Sequence, residues 1–151
     1  MKVSLTSIAA RQSKSIRDGW SSILENYTSR ISHYYPFDSE LFDSERGFLD
    51  WLERQTGRTP AYVVLLDSRG LQLDSEEFAG RIGRLRDEGT QRIVFAIGPA
   101  DGWSDGARKR ANLLLSLGRM TLPHQLARVV LAEQVYRACT ILAGHPYHSG
   151  H

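Results

Sequence analysis

The chain has 151 residues, 41% of them hydrophobic and 24% charged, with a formal net charge of +2 at pH 7. That length suits one domain with its own core and leaves little room for a separate nucleic-acid-binding module, so the whole of 1–151 reads as a single domain and any RNA site has to lie on it. The single cysteine, Cys139, excludes an internal disulfide and a cysteine-based metal or redox pair, and reads as a buried filler. No segment approaches the roughly 20 apolar residues of a membrane span and the N-terminus lacks a signal-type apolar run, which predicts a soluble, cytoplasmic protein.

In chain order, residues 2–9 alternate Val3, Leu5 and Ile8 with small polar side chains and read as an opening strand. Residues 15–31 place Ile16, Trp20, Ile23, Leu24, Tyr27 and Ile31 three and four apart, the stripe of an amphipathic helix. A second strand is expected over 32–37, stopped by Pro36, and a helix over 41–56 with Phe42, Phe48, Leu49 and Leu52 inward, ended by Gly57 to Pro60. Residues 61–67 are a continuous apolar run ending at Asp67, the pattern of a parallel strand covered on both faces, and the chain turns at 68–70. A helix follows from Ser75 to about Asp87, with acids in its first turn and Gly89 beyond its end. Residues 92–97 form the next buried strand, then comes a turn at 98–102 and a helix over 104–112. In the run 116–124 a β-type segment ends at Pro123, and a loop of backbone amides leads into a helix displaying Arg128, Glu133, Gln134 and Arg137. This alternation of strand and helix predicts an α/β fold with a mainly parallel sheet flanked by helices.

Charge is unevenly spread. Residues 106–137 hold Arg108, Lys109, Arg110, Arg119, Arg128 and Arg137 against one acid, Glu133, a balance that favours phosphate. Residues 38–53 hold Asp38, Glu40, Asp43, Glu45, Asp50 and Glu53 against Arg46, a solvated surface unsuited to nucleic acid. His124, His145, His148 and His151 raise the question of a metal, but Pro146 interrupts any helix between His145 and His148 and no carboxylate accompanies them, so no metal is expected.

The runs Met-Thr-Leu-Pro-His-Gln at 120–125, Arg-Val-Val-Leu-Ala-Glu-Gln-Val-Tyr-Arg-Ala at 128–138 and His-Pro-Tyr-His at 145–148 resemble the C-terminal signature of the RlmH family of SPOUT-class methyltransferases. The resemblance is strong from about Tyr62 to His148 and looser before it, where Glu25-Asn-Tyr27 and Arg30 agree. It implies an S-adenosylmethionine-dependent enzyme that methylates N3 of a pseudouridine in helix 69 of 23S ribosomal RNA on the assembled ribosome, working as a homodimer. It also implies the SPOUT α/β-knot fold, with a C-terminal trefoil knot and the cofactor against the knotted loops.

By the same resemblance, Leu66, Gly98, Leu117, Gly118, Arg119, Met120, Thr121 and Leu122 are the cofactor-binding positions. Largely backbone and apolar groups are apt there, because adenine needs apolar walls and a few amide partners. Relatives usually read Ile-Gly-Gly where this chain has Ile97-Gly98-Pro99, and proline removes one amide donor. Arg137, His148, Tyr147 and His124 are the expected substrate-positioning and proton-handling set. The N3 proton of an imide is weakly acidic, so a cation that stabilises the departing charge matters more than a strong base. Arg108, Lys109, Arg110 and Arg128 are the expected RNA contacts, which position phosphates without reading sequence. Leu126, Val129, Val130 and Val135 are offered as two-fold interface residues. The alternatives are a SPOUT enzyme of another RNA such as a tRNA, and a noncatalytic ribosome-binding or assembly protein, which Pro99 motivates.

Overall fold

The computed structural model describes residues 1–9, 19–55 and 59–149. Its elements run β1 (Lys2–Ile8), α1 (Gly19–Ile31), β2 (Phe37–Phe42), α2 (Glu45–Gln55), β3 (Tyr62–Gln72), α3 (Ser75–Asp87), β4 (Arg92–Ile97), α4 (Asp105–Arg110), β5 (Leu113–Ser116), α5 (His124–Ala143) and a final 3-10 turn (Pro146–His148). The five strands form one sheet in the order β2-β1-β4-β3-β5, and every neighbouring pair is parallel.

The apolar strands alternate their side chains between two cores. Val3, Leu5, Val64, Ile93, Phe95 and Ile97 face the layer of α1, α3 and α5. Ile8, Val63, Leu65, Val94 and Ala96 face Phe48, Trp51 and Leu52 of α2 and Ala107 of α4. Burial on both faces explains why β3 and β4 read as unbroken apolar runs. Helix α5 lies between α1 and α3 and packs on both. Its Leu131, Ala132, Val135 and Cys139 are buried, so Val135, offered above as an interface residue, belongs to the core, and Cys139 is the filler expected.

Four expectations are corrected. Residues 32–35 are a turn rather than a strand, and the strand lies after Pro36, at Phe37–Phe42. Pro36 introduces it, because its carbonyl accepts from Val3 N at 2.9 Å and opens the parallel register Val3↔Phe37. The next helix accordingly starts at Glu45, not at 41. Strand β3 does not turn at 68–70: it runs to Gln72 and pairs again with β5 at Leu71↔Leu115, past an irregularity between Leu66 and Leu71. The β-type segment expected over 116–122 ends at Ser116, and its strand, β5, starts at Leu113; Gly118, at φ +134°, breaks the extended path. The beginning of the first helix expectation, residues 15–18, lies outside the described residues.

At Gly70 the backbone of β3 lies hard against that of β5. A Cβ there would sit 2.6 Å from the carbonyl carbon and oxygen of Leu114 and 2.7 Å from Leu115 N. The obstacle is backbone, which cannot swing aside as a side chain would. Gly70→Ala is therefore expected to destabilise the fold by about 2–3 kcal/mol, read as a fall in Tm of several degrees in thermal melts; a wild-type Tm would show that the crossing has slack.

Candidate active site

Three loop-like segments meet toward the C-terminal end of the sheet, the irregular stretch within β3 between Leu66 and Leu71 and the loops that follow β4 and β5, at the end of an open parallel sheet where ligands bind. Together with the start of α5 they enclose a cleft of about 610 Å³, in the size range of small-molecule sites. Leu66, Gly98, Leu117, Gly118, Met120, Thr121 and Leu122, all expected at the cofactor, line it. Arg119 shares the loop but is exposed and does not line the cleft. Met120, 84% exposed, stands at the cleft with its thioether uncovered.

Trp103, which the sequence reading missed, ties two of these loops together. It is 4% exposed, packs at a tilt of 46° against Phe48 with ring centroids 5.4 Å apart, and donates from Nε1 to the Leu66 carbonyl at 3.0 Å. Its indole lies so close to Gly98 that a Cβ there would be 2.7 Å from the ring carbon Cε2. Gly98 is thus required by the tryptophan beneath it. Pro99 fits this loop: its carbonyl accepts from Gly102 N at 2.9 Å, and the positive φ of +87° falls on Gly102 rather than on residue 99. In the third loop Ser116 Oγ accepts from Gly118 N at 3.1 Å and donates to Gly118 O at 3.0 Å, pinning the residue whose φ favours glycine.

Asp67, also missed, is a buried carboxylate at the cleft, its side chain 6% exposed. It accepts from Arg108 Nε at 2.9 Å and Arg69 N at 2.9 Å. Arg108 also donates to Asp105 at 3.0 Å, so this expected phosphate contact is held as an internal ion pair. Lys109 is exposed and Arg110 half-buried on the same short helix. Arg128 lies on α5, in the layer across the sheet from α4, so one chain does not gather the expected RNA-binding residues on a single face. The acidic segment is not wholly a solvated face either: Glu45 accepts from Ser104 N at 2.8 Å and Ser104 Oγ at 2.6 Å, locking the start of α4.

The expected catalytic residues separate into two groups. His124 opens α5 and lines the cleft, whereas Arg137 lies 13 residues on, about 20 Å along the helix at 1.5 Å per residue. Arg137, Tyr147 and His148 do come together. Arg137 Nε donates to Glu133 Oε1 at 3.0 Å, its Nη1 is 2.9 Å from His148 Nδ1, and its guanidinium lies 5.0 Å from the Tyr147 ring centre. The hydrogen bond to Glu133 raises the Arg137 pKa further, keeping the group cationic. Burial, then the Glu133 charge, raises the Tyr147 pKa, so its phenol stays protonated and donates toward Glu133 Oε2 at 3.5 Å. Among the described residues no cluster of three His, Cys, Asp or Glu side chains is placed to hold a metal, and no described helix is long and apolar enough to cross a membrane.

The sheet order, the convergent loops and the C-terminal cluster define a methyltransferase of the SPOUT class. The chain belongs to this family: residues 1–148 match the family described as "Predicted SPOUT methyltransferase". A Koribacter versatilis protein named Ribosomal RNA large subunit methyltransferase H is 51% identical over 125 residues, which are 83% of this chain and 85% of that one. A protein of the same name from Brucella anthropi is 58% identical over 88 residues, covering 58% of this chain and 55% of its own length. Among solved structures, the SpoU methyltransferase AviRb from Streptomyces viridochromogenes, in complex with AdoMet, aligns at a TM-score of 0.50 and 15% identity over 91% of this chain and 57% of that one; at that identity the likeness is one of fold alone.

His124 has the site's perturbed imidazole. Burial first, then the nearby Arg128 charge, lowers its pKa against an opposing hydrogen bond with the Ile8 backbone, and its Nε2 is buried without a partner. Because the folded-state pKa is depressed, the stability this group confers is complete above its unfolded value of about 6.5 and drains away as pH falls below it. His124→Gln is expected to flatten the dependence of Tm on pH between about pH 7 and pH 5; thermal melts across that window with an unchanged slope would assign the titration to another group.

Proposed function

We propose that this chain transfers a methyl group from S-adenosylmethionine to N3 of a pseudouridine in helix 69 of 23S ribosomal RNA, on the assembled ribosome, as a cytoplasmic homodimer. The observation that carries this reading is the cleft itself, in which three loops present the residues expected from the resemblance. The residues present fit the cofactor: Leu66, Leu117 and Leu122 supply apolar walls, and Gly98, pressed against Trp103, admits no side chain that would narrow the space. When bound, the cofactor supplies an electrophilic methyl on a sulfonium. In this reading the last helix, α5, threads a loop to form the trefoil knot, and the cofactor lies against the knotted loops.

The protein's part is alignment and charge. Holding two reactants in line is worth on the order of 7–11 kcal/mol in ideal cases. Arg137, fixed by Glu133 and His148, is the cation that stabilises the imide charge as the N3 proton passes to water and the methyl leaves sulfur for N3. Tyr147, held protonated, serves as a donor and not as the base. The homodimer is supported by uncovered apolar side chains: Trp20 is 37% exposed, Ile23 45% and Leu41 37%, and Trp20 and Leu41 sit beside Val129 of α5. Leu126 and Val129, offered above for the interface, are half-buried on that helix.

Calorimetric titration with S-adenosylmethionine is expected to give one site per chain with a Kd of about 1–100 μM; absence of binding would favour the noncatalytic ribosome partner. Arg137→Ala is expected to lower turnover on ribosomes by about 100-fold or more while leaving cofactor affinity unchanged, and equal turnover would remove it from the reaction. For Pro99→Gly, the unstrained turn predicts a cofactor Kd within about 3-fold of the parent; a tenfold gain, about 1.4 kcal/mol, would mean that the native loop lacks an amide the cofactor uses.

A further inference from the structure

A second cavity, of about 440 Å³, shares Leu115, Leu117 and Gly118 with the cofactor cleft but is otherwise lined by different residues. It reaches Ser75 at the start of α3 and Gln134 on α5, with Phe78, Val130 and Leu131 as apolar lining. Gln134 belongs to the C-terminal network: its Nε2 donates to Glu133 Oε1 at 3.1 Å, and Glu133 holds Arg137 at 3.0 Å. The space therefore adjoins both the cofactor loop and the Arg137 cluster.

Its chemistry is selective. Among the described residues no Lys or Arg lines it, and its one carboxylate, Asp74, is spent on capping α3 through Glu77 N at 2.7 Å. A phosphate finds no counter-charge here, whereas a neutral planar heterocycle finds apolar walls and an amide. Ser75 Oγ donates to Gln134 Oε1 at 2.7 Å, using one of its two lone pairs, and Glu133 takes one of the two Nε2 hydrogens. One acceptor and one donor site stay open on the same carboxamide.

We propose that this cavity receives the target base and that Gln134 pairs with its N1–H and C2=O, so selecting pseudouridine over uridine. The proposal rests on the methyltransferase reading above and names how that site recognises its substrate. Pseudouridine is joined to ribose through carbon and keeps two ring N–H groups, N1–H beside one carbonyl and the imide N3–H between two. The open donor–acceptor pair of Gln134 matches N1–H beside C2=O and leaves N3 free. Uridine has its N1 in the glycosidic bond, so a carboxamide can pair with its ring N–H only at N3, covering the atom to be methylated. Ser75 and Glu133 orient the amide by occupying its other two sites.

Two variants test this on the full-length protein, with S-adenosylmethionine titrated by calorimetry and methylation measured on ribosomes carrying either pseudouridine or uridine at the target. Gln134→Leu is expected to lower kcat/KM on pseudouridine ribosomes by about 10-fold or more, to leave cofactor Kd within about 2-fold, and to spare whatever turnover uridine ribosomes support, so that discrimination shrinks. Val130→Trp, which adds bulk to the cavity lining, is expected to lower kcat/KM by about 100-fold or more with the same cofactor Kd. Undiminished kcat/KM in Gln134→Leu, an equal loss on both ribosomes, or loss of cofactor binding on filling the cavity would overturn the proposal. If Val130→Trp changes the mass of the assembly in light scattering, the Gln134→Leu result decides alone. A wild-type protein that neither binds the cofactor nor methylates either ribosome would instead overturn the methyltransferase reading itself.

Discussion

The close passage of Gly70 over the backbone of β5 is the constraint on which the rest depends. Because no Cβ intervenes between residue 70 and Leu114, β3 can rejoin β5 after its irregularity. The re-pairing at Leu71 and Gln72 returns the chain to β5 after the 67–69 segment has lined the cleft, while Trp103 fastens the second loop to the Leu66 carbonyl. The cleft is then shaped by backbone contacts and one indole rather than by the side chains that line it. That suits a site for a ligand grasped by amides and apolar surface.

Electrostatics are organised locally. Asp67 with Arg108, Glu133 with Arg137 and Glu45 with Ser104 use much of the chemistry that composition alone would assign to the surface. Asp38 follows the same pattern: burial would raise its pKa, but the Ser4 hydrogen bond and the Lys2 and Arg92 charges outweigh it and hold it low. The net charge of +2 is therefore a poor guide to where a polyanion settles, since a cation fixed by a buried carboxylate offers less to phosphate than a free one.

Much of the fold was legible because both-face burial leaves a mark in sequence. The run at 92–97 and the acid-rich start at Ser75 gave β4 and α3 nearly as they stand, the run at 61–67 gave only the first half of β3, and the loop positions expected at the cofactor largely converge. What periodicity could not reveal were pairings between distant segments. Strand β5 has four residues, too few to show a period, and β2 was displaced because Pro36 reads equally as a stop or a start until Val3 is seen bonded to it. Trp103 and Asp67 were overlooked for the same reason, since their roles exist only through partners 37 and 41 residues away. His124 was grouped with Arg137 by family resemblance, although 13 residues of one helix already hold them about 20 Å apart along its axis.

The position of α5 in chain order bears on biosynthesis. This helix follows every strand it covers, yet it supplies Leu131, Ala132, Val135, Tyr136, Ala138 and Cys139 to the larger core. At translation speeds of about 5–20 residues per second, its 20 residues take roughly 1–4 s to be made. Throughout that interval the apolar face of the nascent sheet is covered only in part, by α1 and α3, which lack their shared neighbour, so the emerging chain exposes apolar surface until its last helix is complete.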